Sequence, residues 1–295
     1  MTQIATKAAE PLIRSVLAPN PSMMTQKGTN TYILGTGRVA VIDPGPAIAQ
    51  HLKAILATLL PHEQISHIFV THAHLDHSEL VPDLVKATGA TVYAYGAATA
   101  GRSTRMQSIA KTVQIGGGEG VDHAFSPEVF LQDGDVISGD DWSLEAIHTP
   151  GHMGNHLCYA SGQTLFSGDQ VMGWSTSLVS PPTGDMTDYM ASLGKLASRP
   201  WTTCLPAHGT AVNNPARRLA DLISHRIARE TGILKAIAFG ATDIPAITKS
   251  AYPDLEEHLF PAASRNVFAH LIDLEGRNLV NATPSPHPDA TFTLA

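Results

Sequence analysis

The 295-residue chain is predicted to be an α/β protein with two β-sheets at its centre, helices outside them and a helical C-terminal region. Between residues 28 and 95, apolar strand-like runs alternate with amphipathic helical stretches, a pattern typical of sheet layers covered by helices. Between residues 129 and 167, short strand-like runs recur at closely spaced turns. This strand-rich second half favours a second sheet over a doubly wound single sheet. From Pro215 onward, helical periodicity dominates.

The first half of the chain is predicted element by element from these patterns. Residues 1–27 are mixed in character and interrupted by prolines, so an edge strand and a loop are expected there. Residues 96–122 contain a glycine run without the Gly-Lys-Ser/Thr ending of a phosphate-binding loop, which predicts a flexible surface loop. The elements between these segments are strands at 28–34 and 38–42, a helix ending near residue 60, a strand leading into residue 70, a helix at 79–88 and a strand at 91–95.

The second half is predicted to contain four short strands followed by three helices. Asn214 and Pro215 are typical of a helix start, because the asparagine side chain caps the first turn and proline is tolerated within it. A short strand at 278–280 precedes a proline-rich tail that is predicted to be loose. The strands are expected at 129–131, 142–148, 157–160 and 164–167, and the helices at 215–239, after Asp243 and at 261–275.

Composition and charge narrow the functional classes. With 43% hydrophobic and 15% charged residues, the chain has the composition of an ordinary globular protein. Its net charge of -7 provides no general attraction for nucleic acid. Two cysteines are too few for a disulfide framework, and no apolar stretch reaches the length of a membrane span. With no secretory signal visible either, these features predict a cytoplasmic protein that does not enter a membrane; they predict no oligomeric state.

A string of metal-ligand side chains follows the apolar run at 68–70. His72 and His74 lie two residues apart, so they share one side of an extended chain. Asp76 and His77 follow where the chain must turn into a helix, so they can approach a second point. Imidazole nitrogen and carboxylate oxygen suit zinc or a similar divalent ion. A solvated strand end would explain a single histidine here, whereas the whole string favours a metal site.

Three more candidate ligands lie where a predicted strand meets a turn. They are His152, Asp169 and His208, and each is preceded by a strand-like run. Taken alone, each of them is more often a structural histidine or a turn aspartate. Taken with the histidine string, they supply a third ligand for each of two ions and a carboxylate able to bridge the ions.

These motifs are similar, in order, to those of the metallo-β-lactamase fold superfamily, which implies a four-layer αββα sandwich. The matching positions are Asp43, the string at 72–77, His152, Asp169 and His208. A closer likeness to the branch that contains the lactamase-like endoribonuclease of animal mitochondria rests on residues 28–32, 167–169, 189–193 and 223–226. That branch implies a catalytic domain over residues 1–212 and a helical, winged-helix-like domain with a loose tail over residues 213–295.

The resemblance also implies a role for each candidate residue. One metal ion would be held by His72, His74 and His152, and the second by Asp76, His77 and His208. Asp169 would bridge both ions, and Asp43 would support the site through hydrogen bonds. The exported zinc β-lactamases often carry cysteine at the position of Asp169, so β-lactam hydrolysis is the least favoured activity.

The predicted function is that of a metal-dependent hydrolase with two divalent ions, expected to be zinc, as cofactors. A hydroxide shared by the ions would attack an ester, thioester or lactone carbonyl, and Asp76 would orient it as the catalytic carboxylate. A small-molecule substrate is favoured. The alternative, implied by the closer resemblance, is an endoribonuclease acting on single-stranded RNA. Arg217, Arg218, Arg226, Arg229 and Lys235 would serve that alternative, although they do not all share one helical face.

Two residues near the motifs are predicted to contact the substrate. His156, four residues after His152, would touch the substrate or protonate a leaving group; the alternative is a supporting role behind the ligands. Trp174, five residues after Asp169, would wall the pocket; the alternative is a packed aromatic side chain.

Overall fold

Two β-sheets form the centre of the computed structural model, which describes residues 10–112 and 120–295. The first sheet has six strands in chain order, namely β1 (Ile13–Leu17), β2 (Asn30–Leu34), β3 (Arg38–Ile42), β4 (Gln64–Phe69), β5 (Thr91–Ala94) and β6 (Val129–Phe130). The second sheet has five strands, which also lie side by side in chain order. They are β7 (Val136–Ser138), β8 (Ser143–His148), β9 (Leu157–Ser161), β10 (Thr164–Gly168) and β11 (Thr203–Pro206).

The two sheets pack face to face through aromatic and aliphatic side chains. Alternation along β2 sends Tyr32 toward this inner layer and Ile33 toward the outer one, as the two-residue period of a strand requires. Tyr32 meets Phe166 of the second sheet with ring centroids 5.3 Å apart, and Phe69 meets Tyr159 at 5.2 Å. The prediction of a two-sheet core is therefore confirmed.

Helices cover the outer face of each sheet. On the first sheet, Ile55 of α1 (Ala49–Ala57) and Leu84 of α3 (Val81–Thr88) join the outward-facing strand residues in one core. The four-residue helix α2 (Leu75–Ser78) lies between them in the chain. On the second sheet, α5 (Met186–Ala197) and the first half of α6 (Pro215–Ala238) pack over the strands. The result is the predicted αββα sandwich.

The C-terminal region consists of three helices and a two-stranded sheet. Its elements are the second half of α6, α7 (Ile244–Ala251), α8 (Phe260–Gly276), β12 (Val280–Thr283) and β13 (Thr291–Leu294). As predicted, Asn214 caps α6, its side chain accepting a hydrogen bond from the Arg217 amide at 3.2 Å. The helix belongs to two cores, because Leu219 packs with the two-sheet sandwich whereas Ile233 packs with α7 and α8.

The prediction of a loose C-terminal tail is wrong. Residues 291–294 form β13, which pairs antiparallel with β12, and Phe292 is fully buried in the C-terminal core. The prolines at 284, 286 and 288 lie in the connection between the two strands, where they do not interrupt the ladder. The first strand of the pair runs over 280–283 and not over 278–280.

The prediction of a surface loop at 96–122 is also wrong in part, because residues 104–112 form α4 (Thr104–Thr112). Met106 and Ile109 of this helix are buried in the C-terminal core, so the segment is a packed connection between the two regions. The glycine run at 116–118 lies outside the described residues.

Helix α5 was not predicted, although Asp185 caps it and its apolar residues recur at helical spacing. No helix in residues 10–112 or 120–295 is long and apolar enough to cross a membrane.

Candidate metal centre

The residues predicted as metal ligands converge where strands of both sheets end. β4 of the first sheet leads into the 72–77 string, part of which forms α2. The second sheet contributes residues from the β8–β9 connection, from the end of β10 and from the end of β11. The structure brings together His72, His74, Asp76, His77, His152, Asp169 and His208 in two adjoining clusters.

The first cluster consists of three imidazoles and one carboxylate. His74 Nδ1 lies 2.9 Å from His72 Nε2 and 3.1 Å from His152 Nε2. The carboxylate of Asp169 completes the group, and the ligand-type atoms all lie within 4.8 Å of one another. Nitrogen and oxygen atoms that converge in this way have the arrangement required around a divalent ion.

The second cluster consists of Asp76, His77 and His208. Asp76 Oδ2 lies 3.2 Å from His208 Nε2 and 3.6 Å from His77 Nε2. Asp169 stands between the two clusters: its Oδ1 is 3.3 Å from His208 Nε2, and its Oδ2 is 3.5 Å from His152 Nε2. One carboxylate therefore faces both sets of ligand-type atoms, each with a different oxygen.

Two buried atoms of these clusters show that the residues fit a bound cation. Within the described part of the chain, His77 Nε2 and Asp169 Oδ1 have no hydrogen-bond partner, and they lie 3.7 Å apart. Buried polar atoms are rarely left unpaired. A divalent ion held between them would satisfy both, and an imidazole and carboxylate donor set suits zinc and other first-row metals.

The pKa values of the cluster histidines also fit a bound cation. Burial, reinforced by the neighbouring histidines, holds the pKa of His72 well below its ordinary value and lowers the pKa of His74 to about 3. These imidazoles are therefore neutral and keep a lone pair for a metal. Burial would also lower the pKa of His77, but the carboxylates of Asp76, Asp43 and Asp169 raise it to about 10. Three carboxylates thus favour positive charge at the second cluster.

Asp43 orients the second cluster from behind. The residue is buried, and its backbone adopts the left-handed region with φ of 50°. Its Oδ1 accepts the Thr71 amide hydrogen at 2.7 Å, and its Oδ2 accepts from the Thr71 hydroxyl at 2.8 Å and from His77 Nδ1 at 2.9 Å. With Nδ1 bonded to Asp43, Nε2 is the nitrogen of His77 that faces the cluster, where a bound cation would take the place of its proton.

Two more histidines of the clusters are held by backbone carbonyls that were not predicted from the sequence. His152 Nδ1 donates to the carbonyl of Leu178 at 2.7 Å, and His208 Nδ1 donates to the carbonyl of Gly28 at 3.2 Å. Each bond fixes the ring so that Nε2 faces the cluster. Backbone carbonyls carry no sequence signature, and Gly28 is separated from His208 by 180 residues.

The two predicted substrate contacts occupy different positions. His156 is fully buried; its Nδ1 pairs with the Thr149 hydroxyl at 2.9 Å and its Nε2 accepts the Asp169 amide hydrogen at 3.3 Å. This geometry favours the supporting role that was its alternative. Trp174 is 38% exposed and donates from Nε1 to the His208 carbonyl at 3.2 Å, so it lies at the rim of the centre.

The basic residues predicted to serve an RNA-binding alternative are mostly used inside the protein. Arg226 is 1% exposed and donates to the Ser177 carbonyl. Arg218 donates to two carbonyls of the segment 172–175, at 2.6 and 2.5 Å. Arg229 donates to the carbonyl of residue 251 at 2.9 Å and lies over an aromatic ring. These guanidinium groups hold structure together and do not form a basic surface.

Comparison with protein families gives the class to which this fold and site belong. Residues 24–208 match the metallo-beta-lactamase superfamily, and residues 244–286 match the beta-lactamase associated winged helix domain. The chain therefore belongs to the metallo-β-lactamase superfamily. Proteins of this superfamily typically bind divalent metal ions, and this chain has histidine and aspartate clusters suited to metal binding.

Individual relatives agree with this assignment. The chain is 32% identical over 231 residues to the atrochrysone carboxyl ACP thioesterase of Cryptosporiopsis sp. (strain 8999); the match covers 77% of this chain but only 63% of that protein. It is 30% identical over 289 residues to the beta-lactamase-like protein 2 homolog of Drosophila melanogaster, covering 95% of this chain and 93% of that one. A crystal structure of a metallo-beta-lactamase family protein from Thermus thermophilus shares the fold over 96% of this chain and 98% of its own, with a TM-score of 0.76 at 20% identity.

Proposed function

We propose that the protein is a metal-dependent hydrolase that holds two divalent ions, with zinc expected, and cleaves a small ester, thioester or lactone. The observation that carries the proposal is the position of Asp169. Its two carboxylate oxygens face separate clusters, with Oδ1 at 3.3 Å from His208 Nε2 and Oδ2 at 3.5 Å from His152 Nε2. A carboxylate shared in this way offsets the repulsion between two neighbouring cations.

Each cluster would hold one ion, as the family resemblance implies. His72, His74 and His152 would bind the first, and Asp76, His77 and His208 would bind the second, with Asp169 shared. When bound, two divalent ions supply Lewis acidity at the scissile carbonyl and water of lowered pKa. The protein's own contribution is to fix the ligand geometry and to leave one side of the site open.

Asp76 is the carboxylate best placed to act on the reacting groups. Its side chain is 27% exposed, whereas the side chains of Asp169 and Asp43 are 12% and 3% exposed. Asp76 can therefore contact a nucleophile in the cleft and accept its proton, while the other two carboxylates are enclosed by protein. We assign it the catalytic proton-accepting role.

Several observations support a carbonyl substrate over RNA. A relative that covers 77% of this chain is named as a thioesterase of an acyl carrier protein substrate. Trp174 adds an exposed apolar surface beside the centre, which suits a partly apolar acyl group. Of the five basic residues predicted to serve RNA binding, Arg217 and Lys235 are exposed. The guanidinium groups of the other three donate to backbone carbonyls of the protein. The alternative is an endoribonuclease that acts on single-stranded RNA, and the closer family resemblance supports it.

We also propose that the catalytic domain extends over residues 1–212 and the winged-helix-like domain over 213–295. The family matches at 24–208 and 244–286 support this division. Helix α6 begins just after this boundary and contributes residues to the core of each region, which supports a division without a long free linker.

A substrate panel tests the proposal. Purified protein would be assayed with an acyl thioester, an aryl ester, a lactone and labelled single-stranded RNA at several salt concentrations, each with and without chelator. We expect carbonyl hydrolysis that stops on metal removal and is absent from the His74→Ala variant. RNA cleavage that weakens steeply with salt and disappears in His74→Ala, without thioester or lactone turnover, would establish the ribonuclease instead.

A further inference from the structure

A buried arginine from the C-terminal half of the chain lies behind the metal centre. Arg226 belongs to the motif at 223–226, is 1% exposed and lies over the Tyr189 ring at 5.0 Å. Its Nη2 donates to the backbone carbonyl of Ser177, and its Nη1 donates to Asn266 Oδ1 of α8 at 3.2 Å. Both acceptors are neutral. A guanidinium buried among neutral groups is costly to desolvate, so stability alone is a poor explanation for its presence.

The segment that Arg226 contacts also contacts the metal-ligand residues. Ser177 Oγ donates to the backbone carbonyl of Asp169, the carboxylate shared by the two clusters. The carbonyl of the next residue, Leu178, accepts the Nδ1 proton of His152 at 2.7 Å. The amide of Val179 then donates to Asn266 Oδ1 at 3.1 Å. Three consecutive residues therefore join two metal-ligand residues on one side to Arg226 and Asn266 on the other.

This connection controls where His152 points. The bond from Nδ1 to the Leu178 carbonyl fixes both the ring orientation and the tautomer, so that Nε2 faces the cluster. The Leu178 carbonyl is held in place on two sides: the Val179 amide of the same peptide group donates to Asn266, and the Ser177 carbonyl of the preceding peptide group accepts from Arg226. If either anchor is removed, the segment can shift and the His152 ring can rotate.

We propose that Arg226 and Asn266 are positioning residues for the metal centre, acting through the segment 177–179 on His152 and Asp169. The inference rests on the metal-binding function proposed above. It gives the C-terminal region a specific task, since Asn266 lies on α8 and Arg226 on the helix that joins the two regions. Neither residue touches a ligand atom of the clusters, so each acts only through the segment.

The test compares two arginines of the same helix in the full-length protein. Arg226→Ala removes the anchor, whereas Arg229→Ala removes a guanidinium bound to the Ala251 carbonyl at 2.9 Å and lying over Tyr252, both in the C-terminal region. Zinc affinity would be measured by competition with a chelator, and ligand geometry by the visible spectrum of the cobalt-substituted protein. We expect Arg226→Ala to weaken zinc binding about tenfold, within the range known for residues that orient metal ligands, and to alter the cobalt spectrum. Arg229→Ala should match the wild type in both.

Asn266 provides a second, milder variant, because it is only partly buried and its loss leaves Arg226 in place. Asn266→Ala removes the acceptor shared by Val179 and Arg226 and should shift zinc affinity in the same direction. Asn266→Asp keeps an acceptor at that point and adds a charge partner for the guanidinium, so it should retain the wild-type spectrum. Such rescue would not follow from a general loss of packing.

His152→Ala distinguishes failure of this inference from failure of the proposed metal site. If His152→Ala loses metal but folded Asn266→Ala and Arg226→Ala keep wild-type affinity and spectrum, the positioning role is wrong. If Arg226→Ala does not fold, the result with Asn266→Ala decides in the same way. If His152→Ala itself binds metal as the wild type does, the metal site as proposed is wrong, and the positioning role falls with it.

Discussion

Asp43 fixes the orientation of the His77 ring. It accepts a hydrogen bond from His77 Nδ1 at 2.9 Å, which leaves Nε2 facing the second cluster, and it also accepts two hydrogen bonds from Thr71. The three groups that face Asp43, two on Thr71 and one on His77, are all donors, and only a carboxylate can accept from every one of them. This explains why an acidic residue stands there although Asp43 is not itself a member of either cluster.

Replacement of Asp43 by asparagine should therefore impair metal binding with little change in shape. The amide NH2 group must face either the Thr71 amide or His77, and beside His77 it would force the ring proton onto Nε2, the atom that faces the cluster. We expect zinc affinity to fall by roughly 10- to 100-fold. Asp122→Asn is the matched control, because this buried carboxylate accepts from Ser78 and from two backbone amides. Equal zinc affinity in the two variants would contradict this account of Asp43.

Asp169 offers a second test at the same scale. In Asp169→Asn the neutral amide cannot offset the charge of two cations, so we expect fewer than two metal ions per chain and a loss of turnover. The fold should persist, because the His156 ring accepts from the backbone amide of residue 169 and not from its side chain. Elemental analysis and a thermal melt measure both effects. Unchanged metal content with unchanged turnover would mean that another group bridges the ions.

The ligand-type residues and the support from Asp43 could be found from the sequence, but the backbone supports of His152 and His208 could not. The histidine string follows an apolar strand, and His152, Asp169 and His208 each follow one too, so the strand ends indicated them. The partners of their outer nitrogens are the carbonyls of Gly28 and Leu178, which any residue type would provide. Only the folded chain shows which carbonyl lies there.

At the scale of elements, errors of prediction arose where a segment packs against a distant part of the chain. Helix α4 has few apolar residues, and its buried ones, Met106 and Ile109, find partners in the C-terminal core. The tail was predicted to be loose because prolines precede it, yet Phe292 has a place in the same core. Local periodicity predicted long helices such as α6 well, since their apolar faces are complete within one element.

Helix α8 carries a buried histidine that should make the protein sensitive to acid. His270 is 2% exposed, and neither ring nitrogen has a hydrogen-bond partner among the described residues. Burial, together with the charge of Arg226, lowers its pKa to about 3. The unfolded chain binds a proton here below pH ~6.5, whereas the folded protein does not until the pH falls to about 3. Stability is therefore present above that window and is lost as the pH falls through it.

His270→Leu should remove this contribution. We compare the free energy of unfolding of the variant with that of the wild type at two pH values. The difference should favour the variant by roughly 2 to 3 kcal/mol more at about pH 4.5 than at about pH 7.5, because one pH unit within the window corresponds to about 1.4 kcal/mol. Denaturant unfolding at the two pH values measures the change. A wild-type pH profile in His270→Leu would show that this imidazole titrates normally in the fold.

At the scale of the whole molecule, the candidate centre is a product of the packing of both sheets. The first sheet supplies the 72–77 string through β4, and the second supplies His152, Asp169 and His208 from the connections around β8 to β11. Segment 177–179 then links the centre to α6 and α8. Because the ligands converge only in the folded chain, bound ions should stabilise the fold, by about 4 kcal/mol at a free concentration of 1,000 times Kd.

The measurement that tests the central claim most directly is a metal titration of chelator-treated protein, followed by elemental analysis and by turnover of the best substrate in the panel. We expect close to two ions per chain at saturation, with turnover rising as the second equivalent is bound and a higher melting temperature in the loaded protein. Full turnover with one ion per chain, and with His77 and His208 free of metal in a crystal of that protein, would contradict the account.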